Sequence, residues 1–120
     1  AIEKEERALR AFRPIVYICS PYSGDVDANT AAARRYSRFA VEQGYIPIAP
    51  HLLFPQFLDE DNPKERQLGL FFGNAIMSKC SEVWVFGDTI TSGMEEEIER
   101  AGWKNYRVRY FTNDCEEVHR

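Results

Sequence analysis

Short apolar runs alternate along the chain with longer stretches in which apolar residues recur at helical spacing. The short runs predict strands, and they lie at residues 15–19, 45–49, 83–86 and 107–111. Because strands that alternate with helices form a parallel sheet covered on both faces, we expect one small doubly wound α/β domain. Its sheet, of the flavodoxin or Rossmann type, should contain about four to five strands.

Proline, glycine and capping residues set the bounds of the first two predicted helices. Residues 3–12 are charged and helix-prone, and Pro14 ends this leading segment. Asp27 or Asn29 can cap the second helix, which Gly44 ends. Residues 1–14 are therefore predicted to be a leading helical segment outside the α/β domain.

The next predicted helix starts at Asn62, with Pro63 in its first turn and Glu65 at the capping-box position. Its expected core face consists of Leu68, Phe72, Ala75 and Ile76, whereas Leu70, Asn74 and Met77 lie on the opposite side. Either a second subunit or a ligand covers that second side, or its apolar residues are simply exposed. A homo-oligomer is the expected state.

The remaining segments fix the rest of the architecture. Pro47 interrupts the ladder of its strand, so this strand should lie at an edge or carry a local irregularity. Residues 50–61 are predicted as a long connection and residues 112–120 as a polar tail, which gives the α/β domain bounds of 15–111.

Composition narrows the class of protein. A chain of 120 residues that is 44% hydrophobic suffices for one domain with a core, and a formal charge of −4 argues against nucleic acid as a partner. The three cysteines are far apart and show neither a zinc spacing nor a disulfide framework, so no metal and no cofactor are expected. The absence of a long apolar run and of a signal-peptide pattern predicts no membrane contact and a cytoplasmic location.

The segment EVWVFGDTITSGMEEEIERA, residues 82–101, reads as a buried strand, a turn and an acidic helix. Ser92 and Glu95 have the spacing of a capping box. Glu97 lies at the border of the apolar face, whereas Glu95, Glu96 and Glu99 point further toward solvent. Burial raises and a helix N-terminus lowers a carboxyl pKa, so Glu97 could be a poised nucleophile or base. The alternative is that all four glutamates merely complement the helix dipole.

Three loops should meet at the carboxyl edge of the sheet, where doubly wound folds bind ligands. They are residues 20–25, 51–54 and 87–93. These loops offer hydroxyl groups, backbone amides at helix starts and the aromatic rings of Tyr22 and Phe54. Such groups suit a sugar, a base and a phosphate.

The segments VYICSPYSG, SKCSEVWVFGD and SGMEEEIERA together resemble the nucleoside 2-deoxyribosyltransferase-like superfamily, in particular its small uncharacterised branch. The resemblance covers roughly residues 15–111. In that superfamily a glycine precedes the nucleophilic glutamate by four residues and an alanine follows it by four, as Gly93 and Ala101 flank Glu97. Glu99 stands where a glycine is usual, and Asn74 where family enzymes often carry an aspartate.

The resemblance implies a set of site residues around a catalytic Glu97. The residues implied or suggested to bind substrate are Tyr17, Ser20, Tyr22, Ser23, Gly24, His51, Asn74, Asp88, Ser92 and Gly93. Asn74 cannot serve as a general acid, yet its amide can bind a sugar hydroxyl or orient Glu97. His51, Tyr22 and Asp88 are the candidates for assisting the departing base. Ordinary structural roles remain the alternative for Tyr17, for His51 and for the loop after the first strand.

The implied activity is cleavage or transfer of the N-glycosidic bond of a nucleoside or nucleotide through a covalent glycosyl intermediate on Glu97. Two alternatives belong to other classes of protein. The first is a nucleotide-binding or nucleotide-sequestering module that lacks catalysis. The second is an oligomeric scaffold protein in which the exposed apolar helix face is the functional surface.

Overall fold

Helices and strands alternate along residues 2–119, which are the part of the chain that this computed structural model describes. The strands are β1 (Ile15–Cys19), β2 (Ile46–Ile48), β3 (Glu82–Phe86), β4 (Arg107–Phe111) and β5 (Glu117–Val118). The α-helices are α1 (Ile2–Leu9), α2 (Val26–Glu42), α3 (Pro50–Leu53), α4 (Pro63–Met77) and α5 (Ser92–Trp103). A 3-10 turn at Phe54–Gln56 follows α3.

The sheet has the strand order β2-β1-β3-β4-β5, in which β1 to β4 are parallel and β5 is antiparallel to β4. This confirms the predicted α/β class. The order reverses between β1 and β3, so the loops that follow these two strands face each other across the switch point. Pro47 lies in β2, an edge strand, as its missing N–H requires.

Alternating side chains of the central strands divide the core into two layers. One layer lies under α4 and α5 and contains Tyr17, Cys19, Met77, Val83, Val85, Met94 and Ala101. The other lies under α2 and contains Val16, Ile18, Tyr36, Ala40, Trp84, Phe86 and Phe111. The second layer is built on aromatic stacking, for example between Tyr36 and Phe86, whose ring centroids are 4.3 Å apart. The first layer holds smaller residues, and it is on this side that the sheet meets the cavity described below.

Two helix caps differ from the sequence-based predictions. Asp25, rather than Asp27 or Asn29, caps α2, since its carboxylate accepts from the Ala28 N–H at 3.1 Å. Thr91, rather than Ser92, caps α5 by accepting from the Met94 N–H at 3.2 Å. The threonine takes this role because its extended backbone precedes the first helical residue, so the predicted capping box of Ser92 and Glu95 is wrong.

Helix α4 begins at Asn62 as predicted, but its core face is different. Asn62 accepts from the N–H groups of residues 64 and 65, whereas the Glu65 carboxylate accepts from the Asp59 N–H at 3.1 Å instead of closing a capping box. Met77 is 1% exposed and Leu68 is 42% exposed. The helix packs on the sheet through Gly73 and Met77, because the missing side chain of the glycine allows close approach to Tyr17. The larger residues Leu68, Leu70 and Phe71 are consequently left outside.

Three further segments depart from the predictions. Helix α1 ends at Leu9, and Phe12 beyond it is 90% exposed. The predicted connection at 50–61 contains α3 and a 3-10 turn, since Pro50 is well placed in a first helical turn. Within the predicted polar tail, β5 adds to the sheet because the Arg109 guanidinium binds both carboxylate oxygens of Glu117, each at 2.8 Å.

Candidate active site

A cavity of about 430 Å³ lies beside the carboxyl half of β1, where residues from β1, the loop after it, α3, α4 and α5 converge. Ten of the eleven predicted site residues line it: Tyr17, Ser20, Tyr22, Ser23, Gly24, His51, Asn74, Ser92, Gly93 and Glu97. Phe54, which the sequence offered as an aromatic face, lines it as well. The volume is within the range of pockets that enclose small-molecule ligands.

Glu97 is the acid of α5 that faces this cavity. The helical spacing buries Met94 and Ala101 against the sheet and leaves Glu97 partly buried, whereas Glu96 is exposed to solvent. Burial raises the pKa of Glu97 from its ordinary value of 4.5 to about 7, against the lowering effects of a hydrogen bond from Tyr17 and of the nearby Arg100 charge. Near neutral pH the carboxyl group can therefore gain or lose a proton readily.

The Tyr17 hydroxyl donates a hydrogen bond to Oε2 of Glu97. Tyr17 is 3% exposed, and burial together with the adjacent Glu97 charge raises its pKa well above 10. The phenol therefore stays protonated and acts as a donor at any physiological pH. Since the hydroxyl engages Oε2, the second oxygen of the carboxylate remains for a ligand.

Asn74 and Ser20 each bring a buried polar atom without a partner. Among the residues that the structure describes, Asn74 Oδ1 and Ser20 Oγ are buried and have no hydrogen-bond partner. Both residues line the cavity with Glu97. Buried polar groups are nearly always satisfied, so a water molecule or a ligand is expected to bind these two atoms.

His51 links the loop after β2 to the loop after β1. Its ring stacks on Tyr22, with centroids 4.9 Å apart, and it makes a hydrogen bond with the Ser20 backbone. Burial lowers the pKa of His51 from 6.5 to about 4, against the raising effect of that hydrogen bond. His51 is therefore neutral at pH 7 and holds the loop in place; it is not a charged acid for a departing base.

Asp88 is the one predicted site residue that does not line the cavity. It lies in the loop after β3, where its carboxylate accepts from the Asn113 amide at 2.9 Å. The Asn113 carbonyl oxygen in turn accepts from the Tyr36 hydroxyl at 3.3 Å, on the face of the sheet that α2 covers. The strand end thus directs Asp88 to the opposite face, which removes it as a candidate for assisting catalysis in this cavity.

Among the residues of the cavity wall that sequence reasoning missed are Gly73, Arg66 and Arg100. Arg100 could have been found, because it follows Glu97 by three residues and so lies on the same side of the helix. Arg34, Arg35 and Arg38 are exposed on α2 and do not line the cavity. Arg66 and Arg100 supply the positive charge of this wall.

Residues 2–119 contain neither a cluster of metal-ligating side chains nor a membrane-spanning helix. No group of three His, Cys, Asp or Glu side chains there could hold a metal ion. None of the helices described is long and apolar enough to cross a membrane.

The structure is similar to that of a 2-deoxyribosyltransferase from the psychrotolerant bacterium Bacillus psychrosaccharolyticus, with a TM-score of 0.70 at 12% sequence identity. The similar region covers 88% of this chain and 77% of that chain. A 2-desoxiribosyltransferase from Leishmania mexicana has a TM-score of 0.56 at 13% identity, over 82% of this chain and 64% of that chain. These comparisons confirm the nucleoside 2-deoxyribosyltransferase-like fold that the sequence resemblance predicted.

The sequence itself defines the family. Residues 14–111 match the family described as "Domain of unknown function (DUF7768)", and the chain belongs to that family. No curated protein matches the sequence.

Proposed function

We propose that this protein cleaves or transfers the N-glycosidic bond of a nucleoside or nucleotide, with Glu97 as the nucleophile. The observation that carries the proposal is a partly buried carboxyl group, with a pKa of about 7, that lines a cavity of about 430 Å³ and accepts a hydrogen bond from a buried tyrosine. The fold is shared with enzymes named as 2-deoxyribosyltransferases, one of them described as a biocatalyst for nucleoside synthesis.

The proposed reaction proceeds by two displacements. In the first, a carboxylate oxygen of Glu97 bonds to the anomeric carbon while the bond to the base nitrogen breaks, and the base leaves with that electron pair and takes a proton. In the second, water or the nitrogen of another base attacks the anomeric carbon and releases Glu97. Tyr17 holds the carboxylate throughout by its hydrogen bond to Oε2.

The departing base must be stabilised by groups other than His51 and Asp88. Burial, with a contribution from the Glu60 charge, raises the pKa of Tyr22 above 10, so its hydroxyl keeps its proton and can donate to a base nitrogen. Asn74 can donate through its amide but cannot deliver a proton. The proton that the base gains comes from solvent at the open side of the cavity.

Base release from a panel of nucleosides and nucleotides tests this function. The wild-type protein should liberate free base, measured by chromatography, and Glu97→Ala should reduce the rate by at least about a thousandfold, as expected for loss of a covalent nucleophile. Glu96→Ala is the matched control, because Glu96 is the exposed neighbour on the same helix. Equal rates for wild type and Glu97→Ala would reject Glu97 as the nucleophile.

A second candidate, a nucleotide-binding module without catalysis, is favoured by one observation. Asn74 supplies an amide at the wall of the cavity, where the resemblance associates an aspartate with catalysis. Under this alternative a nucleotide would raise the melting temperature of the protein by binding the folded state, yet would remain intact after long incubation. Release of free base in the same samples would exclude it.

We also propose that the protein forms a homo-oligomer through α4. Leu68, Leu70 and Phe71 are 42%, 43% and 66% exposed on this helix, and Leu70 also lines the cavity. A second copy placed here would cover apolar surface and narrow the opening of the site. Size-exclusion chromatography should show an oligomer that Phe71→Asp dissociates and that Phe12→Asp, at an exposed apolar site outside α4, leaves intact. A monomeric wild type would contradict this proposal. If the protein is an oligomer but no nucleoside or nucleotide raises its melting temperature, the scaffold role is favoured instead.

A further inference from the structure

Arg100 carries a positive charge one helical turn away from the proposed nucleophile. It follows Glu97 by three residues, so the two side chains are neighbours on one face of α5. Both residues line the cavity, and each is only partly exposed. The ion pairs of residues 2–119 do not include Arg100, so no carboxylate in that part of the chain is paired with it. Its charge is therefore available to Glu97 and to the groups that react there.

The surroundings of Glu97 give this charge a defined effect. Arg100 lowers the pKa of Glu97 and the Glu96 charge raises it, while Tyr17 lowers it through a hydrogen bond. Cys19, on β1, has its pKa raised well above 9 by burial and by the Glu97 charge, so this thiol stays neutral. The other titratable groups that line the cavity are Tyr22, His51, Glu60, Asp61 and Arg66. Within residues 2–119, Arg100 is the positive charge that acts on Glu97.

The two proposed displacements use the charge of Glu97 in opposite directions. In the first, the carboxylate loses its charge as its oxygen bonds to the anomeric carbon, and the base departs with the electron pair of the broken C–N bond. In the second, the C–O bond to Glu97 breaks and its electron pair returns to the carboxylate. Water or a base nitrogen bonds to the anomeric carbon in that step and gives its proton to solvent. A fixed positive charge beside the carboxylate stabilises the negative charge as it reappears.

We propose that Arg100 is a positioning residue that acts through Glu97: it favours the ionised carboxylate before the first displacement and stabilises the carboxylate that the second displacement releases. This inference rests on the proposed N-glycosidic activity and assigns a residue to its second step. An arginine in the last turn of a helix also complements the helix dipole. That structural role would not distinguish one displacement from the other.

The rate of the second displacement tests the inference. Excess nucleoside is removed, samples are quenched in acid at successive times, and peptide mass spectrometry follows the loss of the pentosyl group from Glu97. At pH 9, Arg100→Gln should slow this loss by about threefold or more, the fold-change that corresponds to half a pKa unit. Arg100→Lys keeps the charge and should resemble the wild type. Lys104→Gln is the matched control, because it removes a positive charge from the exposed end of the same helix. An equal rate in Arg100→Gln, or the same slowing in Lys104→Gln, would overturn the inference.

The first displacement gives an independent readout. At pH 6, Arg100→Gln should attach the pentosyl group about threefold more slowly than the wild type, because a smaller fraction of Glu97 is ionised. At pH 9, where Glu97 is ionised in both proteins, the two rates should be equal. Equal slowing at both pH values would indicate a structural defect and would overturn the inference.

A titration separates failure of the inference from failure of the proposed activity. If the wild type neither releases base nor forms a pentosyl group, the activity has failed, and carbon NMR then follows the Glu97 carboxyl group as the pH is changed. A midpoint that rises in Arg100→Gln, but not in Arg100→Lys or Lys104→Gln, would support the action of Arg100 on Glu97. A midpoint that is the same in all four proteins would overturn it.

Discussion

The Tyr17 hydroxyl on β1 donates to the Glu97 carboxylate on α5, across 80 residues of sequence. This contact joins an inner strand of the sheet to the helix that carries the proposed nucleophile. It lies on the side of the sheet where α4 approaches closely and the core residues are on average smaller than under α2. The pair is therefore held by the fold itself, because both side chains project from regular elements rather than from loops.

Removing the Tyr17 hydroxyl should change the titration of Glu97. The hydrogen bond lowers the pKa of Glu97 against burial, so Tyr17→Phe should move the acidic limb of the pH–rate profile above its wild-type midpoint of about 7. Because a smaller fraction of Glu97 is then ionised, base release at pH 7 should fall by about tenfold. A fall of this size corresponds to a rise in the pKa of Glu97 by about one unit or somewhat more.

Tyr36→Phe is the control for this substitution, since Tyr36 is a buried tyrosine on the opposite face of the sheet. It should leave the midpoint where it is. A midpoint that stays the same in Tyr17→Phe would show that the hydroxyl does not tune the carboxyl group.

Gly73→Ala should impair catalysis more than it impairs folding. A Cβ at this position would lie 3.3 Å from the Tyr17 hydroxyl oxygen, so the phenol that binds Glu97 must shift by a few tenths of an ångström. Replacing glycine by alanine inside a helix stabilises it by about 1 kcal/mol, which offsets the crowding. We expect a melting temperature close to that of the wild type with a severalfold lower kcat.

Gly102→Ala provides the comparison, because an added Cβ in this part of α5 meets nothing within 4 Å. Its kcat should equal that of the wild type. Full activity in Gly73→Ala would show that the position of Tyr17 tolerates displacement.

Stability should depend on the ionisation of Glu97. The folded protein raises the pKa of this group from 4.5 to about 7, so folding favours the neutral form of Glu97. This contribution to the free energy of unfolding is complete below pH 4.5 and is lost as the pH rises through 7. Glu97→Gln mimics the neutral acid, and should be more stable than the wild type at pH 8 by about 1–3 kcal/mol but equally stable at pH 4.

Denaturant unfolding at the two pH values measures this difference. Glu96→Gln, at an exposed position, should match the wild type at both. A Glu97→Gln variant that is no more stable at pH 8 would mean that the Glu97 carboxylate is well solvated.

His51 should remain neutral far below the ordinary range of histidine. Burial lowers its pKa from 6.5 to about 4, so its contribution to stability is present above pH 6.5 and is lost as the pH falls through 4. A proton NMR titration should show a ring midpoint near 4, and His119→Asn identifies which of the two histidine signals is His51. A midpoint near 6.5 would return His51 to the candidates for a general acid.

The sequence predicted the fold where local pattern and tertiary packing agree. The continuous apolar run at β3 and the β-branched run at β1 are buried on both faces, and this makes them recognisable as parallel strands. The orientation of α4 could not be predicted in the same way. Hydrophobicity favours Leu68 as a core residue, but Gly73 and Met77 form the contact because close approach to Tyr17 requires a residue without a side chain.

The candidate site was also predictable only where a local sequence pattern determines the position of a side chain. The border position of Glu97 follows from helical angles alone, and the structure places it at the cavity. The partner of Glu97 does not follow from any local pattern, because Tyr17 is distant in sequence and a tyrosine in a buried strand also suits core packing. The loop that carries Asp88 was expected at the site, but its side chain is directed across the sheet to Asn113.

The location of the sugar in a stalled reaction tests the account most directly. Protein mixed with a cleavable nucleoside is quenched in acid during turnover, digested, and examined by peptide mass spectrometry. The account predicts a pentosyl group attached to Glu97 and no such adduct in Glu97→Gln. A pentosyl group on a different residue, or steady release of base by Glu97→Gln at the wild-type rate, would contradict it.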